Sequence, residues 1–333
     1  MSTTSTAHRS RRPAGVPTGG QFAPEVHAEP EVALPGATGT GSDTVSFADV
    51  TGEDRIRAMQ AEIESAVERI SDPEEWQRFL ETMSRFHTYS FGNAMLILAQ
   101  RPDATRVAGF KAWKSDFGRS VKKGEKGIWI LAPMVREVDR ENPTTGEVEK
   151  QKRVVGFRGV TVFDVSQTEG EPLPEGPAHR YVNQLGEGEA PAGMRESLTS
   201  WIEAQGYTVD DADDIGGANG STSPLTKQVR ILSSMTERQK AKTLAHEAAH
   251  IALGHMERTG EYHLGGGRSV MEIEAESVSY VVGRTMGLDD AGDYAFGYVA
   301  HWAKGSPEQV RATADTVCKT AARLIGELPS AAT

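Results

Sequence analysis

The sequence predicts an α+β protein: N-terminal helices with a small antiparallel sheet, then a mostly helical second domain with a small sheet. Three observations predict it. Apolar residues recur at three- and four-residue spacing early in the chain, switch to alternation between 127 and 163, and return to helical spacing after 236. At 333 residues there is material for about two domains.

The elements follow in order. Residues 1–44 are rich in Pro, Gly, Ser, Thr and Ala, with Arg9, Arg11 and Arg12 near the start. Such a segment cannot bury enough surface to offset its ordering entropy, so a disordered tail is expected there. From Phe47 to Ile70 the spacing of Ile56, Met59, Ile63 and Val67 predicts a helix. Asp72-Pro73-Glu74-Glu75 starts a second, with a capping Asp, Pro in the first turn and acids at the positive end of the dipole. It offers Trp76, Phe79, Leu80 and Met83 to the core. A third helix covers about Asn93 to Gln100 and stops before Pro102. Gly127 to Leu131 then reads as a strand. Val135 to Val138, a turn at Asn142–Gly146 and Val154 to Phe163 read as a hairpin. These elements form a first domain over 45–170, and a Pro/Gly/Glu-rich linker follows over 171–192. The second domain, 193–328, starts with a helix around Met194–Ala204 and a strand at Tyr207–Val209. A Gly/Asn/Ser-rich turn, a strand at Gln228–Leu232 and four helical runs to about residue 327 complete it.

Composition excludes several classes. One cysteine, Cys318, rules out a disulfide framework within the chain and fits a reducing cytoplasm; it reads as a buried core residue. No stretch approaches the roughly 18 apolar residues of a membrane span, and the N-terminus has no apolar core of a secretory signal. A cytoplasmic protein is therefore expected. The net charge of −11 argues against nonspecific nucleic-acid binding by the whole chain. Charge is uneven, however: Arg85 to Val160 hold 15 Lys and Arg against 8 Asp and Glu, the asymmetry of a domain with an anionic partner.

The segment His246-Glu247-Ala248-Ala249-His250 matches H-E-x-x-H. Residues four apart share a helix face, so both imidazoles can reach one ion. Glu247 is then placed to act as general base toward water activated by the metal. Thr236-Glu237-Arg238-Gln239 is a capping box that starts this helix. A catalytic zinc takes three protein ligands. Glu272 and Glu276 lie four apart on a later helical run. Their spacing puts both on one face, so one can bind metal while the other holds a ligand His in place; Glu272 is taken as the ligand and Glu276 as the orienting group, with the reverse left open. Glu274 is expected on another face, in solvent. His255 is a rival third ligand that reads better as structural. Tyr262 and His263 sit in a loop that could border the site.

The basic region interleaves aromatics with cations: Phe91, Asn93, Trp113, Arg119, Lys122, Lys123, Lys126 and Trp129. Ring faces for base stacking and a cationic track are what single-stranded nucleic acid needs. The same residues also fit a plain core with a solvated Lys-rich turn.

His246 through His255, followed by Glu272-x-x-Ala275-Glu276, resembles the zincin-like peptidases of the ImmA/IrrE type and the peptidase domain of ArdC antirestriction proteins. In gluzincins a Glu, then Asp four residues on, supply the third ligand and its partner; Glu276 stands here where that Asp would be. Residues 47–175 resemble the ArdC-type N-terminal domain, which binds single-stranded DNA. The resemblance implies a zinc-dependent metallopeptidase-like protein, with manganese as an alternative metal, bound to single-stranded DNA in an antirestriction role for a mobile element. A protein substrate is then expected, and no membrane partner. Three other readings remain open: an ImmA-like regulatory peptidase cleaving a repressor, a DNA-binding protein with a non-catalytic metal site, and an N-terminal domain that serves as a protein-interaction module.

Overall fold

In the computed structural model, which describes residues 44–141, 148–173, 189–258, 267–288 and 307–329, the helical spacing at the start of the chain is realised as three helices. They are α1 (Gly52–Arg69), α2 (Pro73–Phe86) and α3 (Phe91–Gln100). Asp72 caps α2 by accepting from the Glu74 amide, with Pro73 in the first turn. Ser90 caps α3 in the same way through the Asn93 amide, so α3 begins two residues earlier than the apolar spacing indicated. Met59, Ile63, Trp76, Phe79, Leu80, Met83 and Phe91 are all buried.

The strands that follow are more continuous than expected. β1 (Val107–Gly109) leads into a short α4 (Phe110–Ser115), and β2 (Arg119–Val121) into β3 (Ile128–Glu141) and β4 (Val148–Asp164). The two pieces read around Pro133 are one strand. β3 pairs antiparallel with β4 along its whole length, and the register shift at Met134/Val135 absorbs the irregularity. Pro133 is tolerated because β3 is the edge of the sheet β1-β4-β3. A short β5 (Thr168–Gly170) pairs with β2.

The open edge of β3 is closed by side chains of α3. Asn93 donates to the Leu131 carbonyl and accepts from its amide, each at 2.9 Å. Gln100 does the same to Trp129, at 2.8 Å both ways. These amides act as a substitute strand, which is one way a sheet edge is kept from pairing elsewhere.

The C-terminal part holds α5 (Met194–Ala204), β6 (Thr208–Ala212), β7 (Gly220–Ser223), β8 (Gln228–Leu232), α6 (Glu237–Ala252), α7 (Gly267–Thr285) and α8 (Pro307–Glu327). The sheet order is β6-β8-β7, with β6 parallel and β7 antiparallel to β8. The Gly/Asn/Ser-rich stretch read as a turn therefore contains the edge strand β7. Its small polar residues carry no strand signal of their own. The capping box predicted at Thr236 and Gln239 starts α6. Cys318 is buried, and burial pushes its thiol pKa up, as befits an inert core residue.

The described residues from 44 onward group as one compact unit. A single core cluster includes Met59 and Trp76, Leu198 and Leu244, and Val281 and Leu324. Helix α2 packs on α7, where the buried Trp76 indole N–H donates to Ser277 Oγ at 3.0 Å. The expected tail up to residue 43, the turn at 142–147, residues 174–188 of the expected linker and the loop with Tyr262 and His263 lie outside the described residues.

Candidate metal centre

Two helices and an edge strand build the site. Helix α6 supplies His246, Glu247 and His250, and α7 supplies Glu272, Glu274 and Glu276. The start of α6 is anchored to β6 and α5: Lys240 donates to Asp211 at 3.2 Å, and Arg195 of α5 donates to Glu237 at 3.1 Å and to Asp211 at 2.5 Å.

The Nε2 atoms of His246 and His250 face each other at 3.0 Å. Glu272 Oε2 lies 3.5 Å from the first and 3.7 Å from the second. One ligand atom from each of these residues lies within 4.8 Å of the others, a donor set that could hold a divalent cation. Glu276 takes the other role: its Oε2 is 3.0 Å from His246 Nδ1, on the far side of the ring. Of the two arrangements the spacing allowed, the geometry has Glu272 at the Nε2 atoms and Glu276 behind.

Glu247 is buried beside this cluster and accepts from Thr222 Oγ1 at 2.6 Å. Its other oxygen faces Gly220: a Cβ there would lie 2.7 Å from Glu247 Oε1 and 2.5 Å from Thr243 Cγ2. β7 thus presses its backbone against the carboxylate, and a side chain at 220 would have to push Glu247 and Thr243 aside. A cleft of about 580 Å³ opens here, lined by Gly220, Lys242, Thr243, His246, Glu247 and Glu276. Gly220 and Thr222 were missed in the sequence because β7 was.

His255 does not enter the donor set. It is buried, with Nδ1 at 2.9 Å from His250 Nδ1 and Nε2 at 3.2 Å from Glu274 Oε2. Glu274 was expected in solvent and is instead buried against His255, because the turn after α6 folds back over that face of α7. Burial lowers the His255 pKa, against the raising effect of Glu274.

The contacts form one chain: Glu276, His246, His250, His255, Glu274. With a carboxylate at each end, its four links need four N–H protons. Three neutral imidazoles bring three. The chain as drawn therefore carries one extra proton. His246 is where it belongs: burial lowers the pKa of this ring, but hydrogen bonds to Glu272 and Glu276 and the charges of Glu276 and Glu247 outweigh that and raise it to about 10. A cation at the Nε2 atoms would take the place of that proton.

The proposed nucleic-acid residues separate into two groups. Phe91 and Trp113 are wholly buried and have no face open to a base, which corrects their reading as stacking residues. Trp113 is a core ring whose indole N–H donates to the Phe163 carbonyl at 2.8 Å. Asn93 is committed to the edge of β3. One face of Trp129 is covered by the Arg55 guanidinium, 3.6 Å from the ring centroid. Arg119 binds Thr168 Oγ1 and the carbonyls of Thr168, Gly170 and Glu171, tying β2 to β5. Lys122, Lys123 and Lys126 are exposed, with Lys122 reaching the Ser166 carbonyl.

The exposed aromatics lie elsewhere. Phe110 is 61% exposed and packs edge-on against Phe163. Phe157 lies on the outer half of the β3–β4 ribbon, exposed beside Met134, Val135, Val154 and Val155. Arg136, Lys152, Arg153 and Arg158 are exposed among them.

A family model described as the N-terminal domain of anti-restriction factor ArdC matches residues 53–163. Residues 53–163 are thus similar to that domain. The matched segment runs from α1 through β4 and so includes the β3–β4 ribbon and its basic residues. An uncharacterized Bacillus anthracis protein, pXO2-81, is 27% identical over 297 residues, covering 78% of this chain. The chain spans 49% of the length of that relative. Two crystal structures of the antirestriction ArdC protein from the R388 plasmid are also similar at 22% identity, covering 71% of this chain and 83% of theirs. The metal-free form has a TM-score of 0.41 and the Mn(II)-bound form 0.43. No helix among the described residues is long and apolar enough to cross a membrane.

Proposed function

We propose that this chain is an antirestriction protein of the ArdC type that binds single-stranded DNA through its N-terminal segment and carries a zinc-dependent peptidase site in its C-terminal part. One observation carries the hydrolytic reading: His246 Nε2, His250 Nε2 and Glu272 Oε2 converge while the Glu247 carboxylate lies beside them, at a cleft. Two imidazoles and a carboxylate are the ligands of a catalytic rather than a structural zinc site. Manganese would be held by the same three groups. Held by these three groups, a divalent cation would supply Lewis acidity, lowering the pKa of water and polarising a carbonyl.

The protein's own residues do the rest. Glu247 is placed to take a proton from water, and Thr222 fixes its carboxylate with a 2.6 Å hydrogen bond. Glu276 holds the His246 ring from behind. Among the described residues β7 is paired on one side only, by β8. Its outer edge offers backbone groups along which an extended peptide could lie.

For DNA, exposure favours a reading different from the sequence pattern. Lys122, Lys123 and Lys126 stay in it, Phe110 joins them, and the ribbon adds Phe157 with Arg136, Lys152, Arg153 and Arg158. Cations for the backbone and an open ring for a base are both present there.

Elemental analysis of the purified protein beside H246A tests the metal. Near one zinc per chain, lost in the variant, supports the reading; no metal in the wild type overturns it. Comparison of protein levels in cells carrying the wild type or E247Q tests the peptidase, which falls if no substrate differs. Fluorescence anisotropy with a single-stranded oligonucleotide tests the DNA part. Binding should weaken steeply with salt, and each ribbon Arg→Ala change should lower the log–log slope by about 0.7. No binding at low salt overturns it.

A further inference from the structure

Behind the three converging donors lies a buried pair that the peptidase reading does not use. His255 is 2% exposed and Glu274 7%. Burying an imidazole and a carboxylate is costly unless each is paired, and here each has a partner. The backbone fixes the position of His255, since its amide donates to the His250 carbonyl at 3.1 Å as the chain leaves α6. From there its ring spans the gap between His250 and α7.

The direction of the two hydrogen bonds follows from the ends. Two Nδ1 atoms 2.9 Å apart make a hydrogen bond only if one carries a proton and the other a lone pair. The Glu274 carboxylate can only accept, so His255 Nε2 is the N–H that meets it at 3.2 Å. A neutral His255 then presents a lone pair at Nδ1. His250 must in turn carry its proton on Nδ1, which leaves its Nε2 lone pair aimed at His246 Nε2 and Glu272. That is the tautomer a metal-ligating His250 needs.

We propose that Glu274 and His255 are positioning residues for the metal site, a two-residue latch that sets the tautomer and ring direction of His250 from behind. The inference rests on the metal reading above. It also assigns the two ligand histidines different supports. His246 is held directly by the Glu276 carboxylate, at a site open to the cleft. His250 is held by an imidazole relay sealed in the core.

Zinc affinity, measured by chelator competition on the full chain, tests the latch. The wild type and H246A come first: if the wild type takes up no zinc, the metal reading and the latch fall together. Given a zinc-binding wild type, H255L should bind zinc about 10–100-fold more weakly. H255N places an amide oxygen near the position of the lost Nδ1 and should recover most of that loss. H255Q places its amide near Nε2 instead, keeps the link to Glu274, and should not. A filler of the core would give the opposite order, with H255L tolerated best. The melting temperature of each metal-free variant separates loss of fold from loss of grip. Long-range nitrogen–proton NMR of the metal-free wild type needs no variant. It should show His250 protonated on Nδ1 and His255 on Nε2 alone. Wild-type affinity in both H255L and H255Q, or a proton on His255 Nδ1, overturns the latch while leaving the metal reading intact.

Discussion

Loading the metal should expel one proton per chain across the neutral range. The perturbation is zinc added to metal-free protein. The proton at stake is the extra one in the chain from Glu276 to Glu274, held on His246 with a pKa raised to about 10 from an ordinary 6.5. At pH 7.5 a group of pKa about 10 is essentially fully protonated, whereas one of pKa 6.5 carries only about 0.1 proton. Calorimetry in two buffers of different ionisation enthalpy reads the number directly, and we expect close to one proton released per zinc. Apparent affinity should also tighten about tenfold per pH unit between 7 and 8.5. The sign for the metal-free fold is the reverse. A raised pKa stabilises the folded state, fully so below the unfolded value of 6.5. That contribution fades as pH rises through about 10. E276Q removes one of the two carboxylates that hydrogen-bond to His246, so its proton release should fall. A release near 0.1 at pH 7.5 in the wild type, with flat affinity above pH 7, would refute the proton count.

Three further outcomes are expected. G220A forces a methyl group to within 2.7 Å of Glu247 Oε1. It should cost about 1–3 kcal/mol in urea unfolding and impair hydrolysis while zinc content stays at the wild-type level. Unchanged hydrolysis would mean that β7 does not set the position of Glu247. E272Q should weaken zinc binding more than E276Q, because Glu272 faces both Nε2 atoms and Glu276 faces only a ring back. Chelator competition decides, and the reverse order would exchange their roles. W76A empties a fully buried indole site and strands the Ser277 hydroxyl. It should cost about 3–5 kcal/mol, and a loss confined to one of two separate unfolding transitions would argue against the shared core.

What the sequence made legible was local. Helix starts at Asp72 and Thr236 and the H-E-x-x-H face depend on residues within four positions of each other, and periodicity reports such relations well. Three things needed the fold. β7 is Gly-Ser-Thr-Ser, and its strand character comes from pairing with β8 rather than from any pattern of its own. Glu274 sits among acidic neighbours that read as a solvated face, and its burial depends on a turn that brings His255 onto it. Phe91, Trp113 and Phe110 are all aromatics in one basic stretch. Only packing shows that the first two fill the core while the third stands at the surface. Interleaved charge identified the region and could not sort its rings.

Helix α7 ties these findings together. Glu272 and Glu276 share one of its faces, and Ser277 is turned about 100° further round. There it accepts from Trp76 of α2, in the segment that the ArdC N-terminal model matches. Three residues on, the Tyr280 hydroxyl approaches Glu81, and Thr285 donates to the Ser84 carbonyl. The helix that orients His246 is thus seated on α2, which in turn packs against α3 behind the edge of β3. Such packing fixes the azimuth of α7. A rotation of 20° would swing a carboxylate some 6 Å from the helix axis by about 2 Å, enough to break a 3.0 Å hydrogen bond. The segment that the ArdC N-terminal model matches therefore has a physical role at the candidate metal centre apart from any DNA it binds. It supplies the surface against which the carboxylates of α7 are aimed.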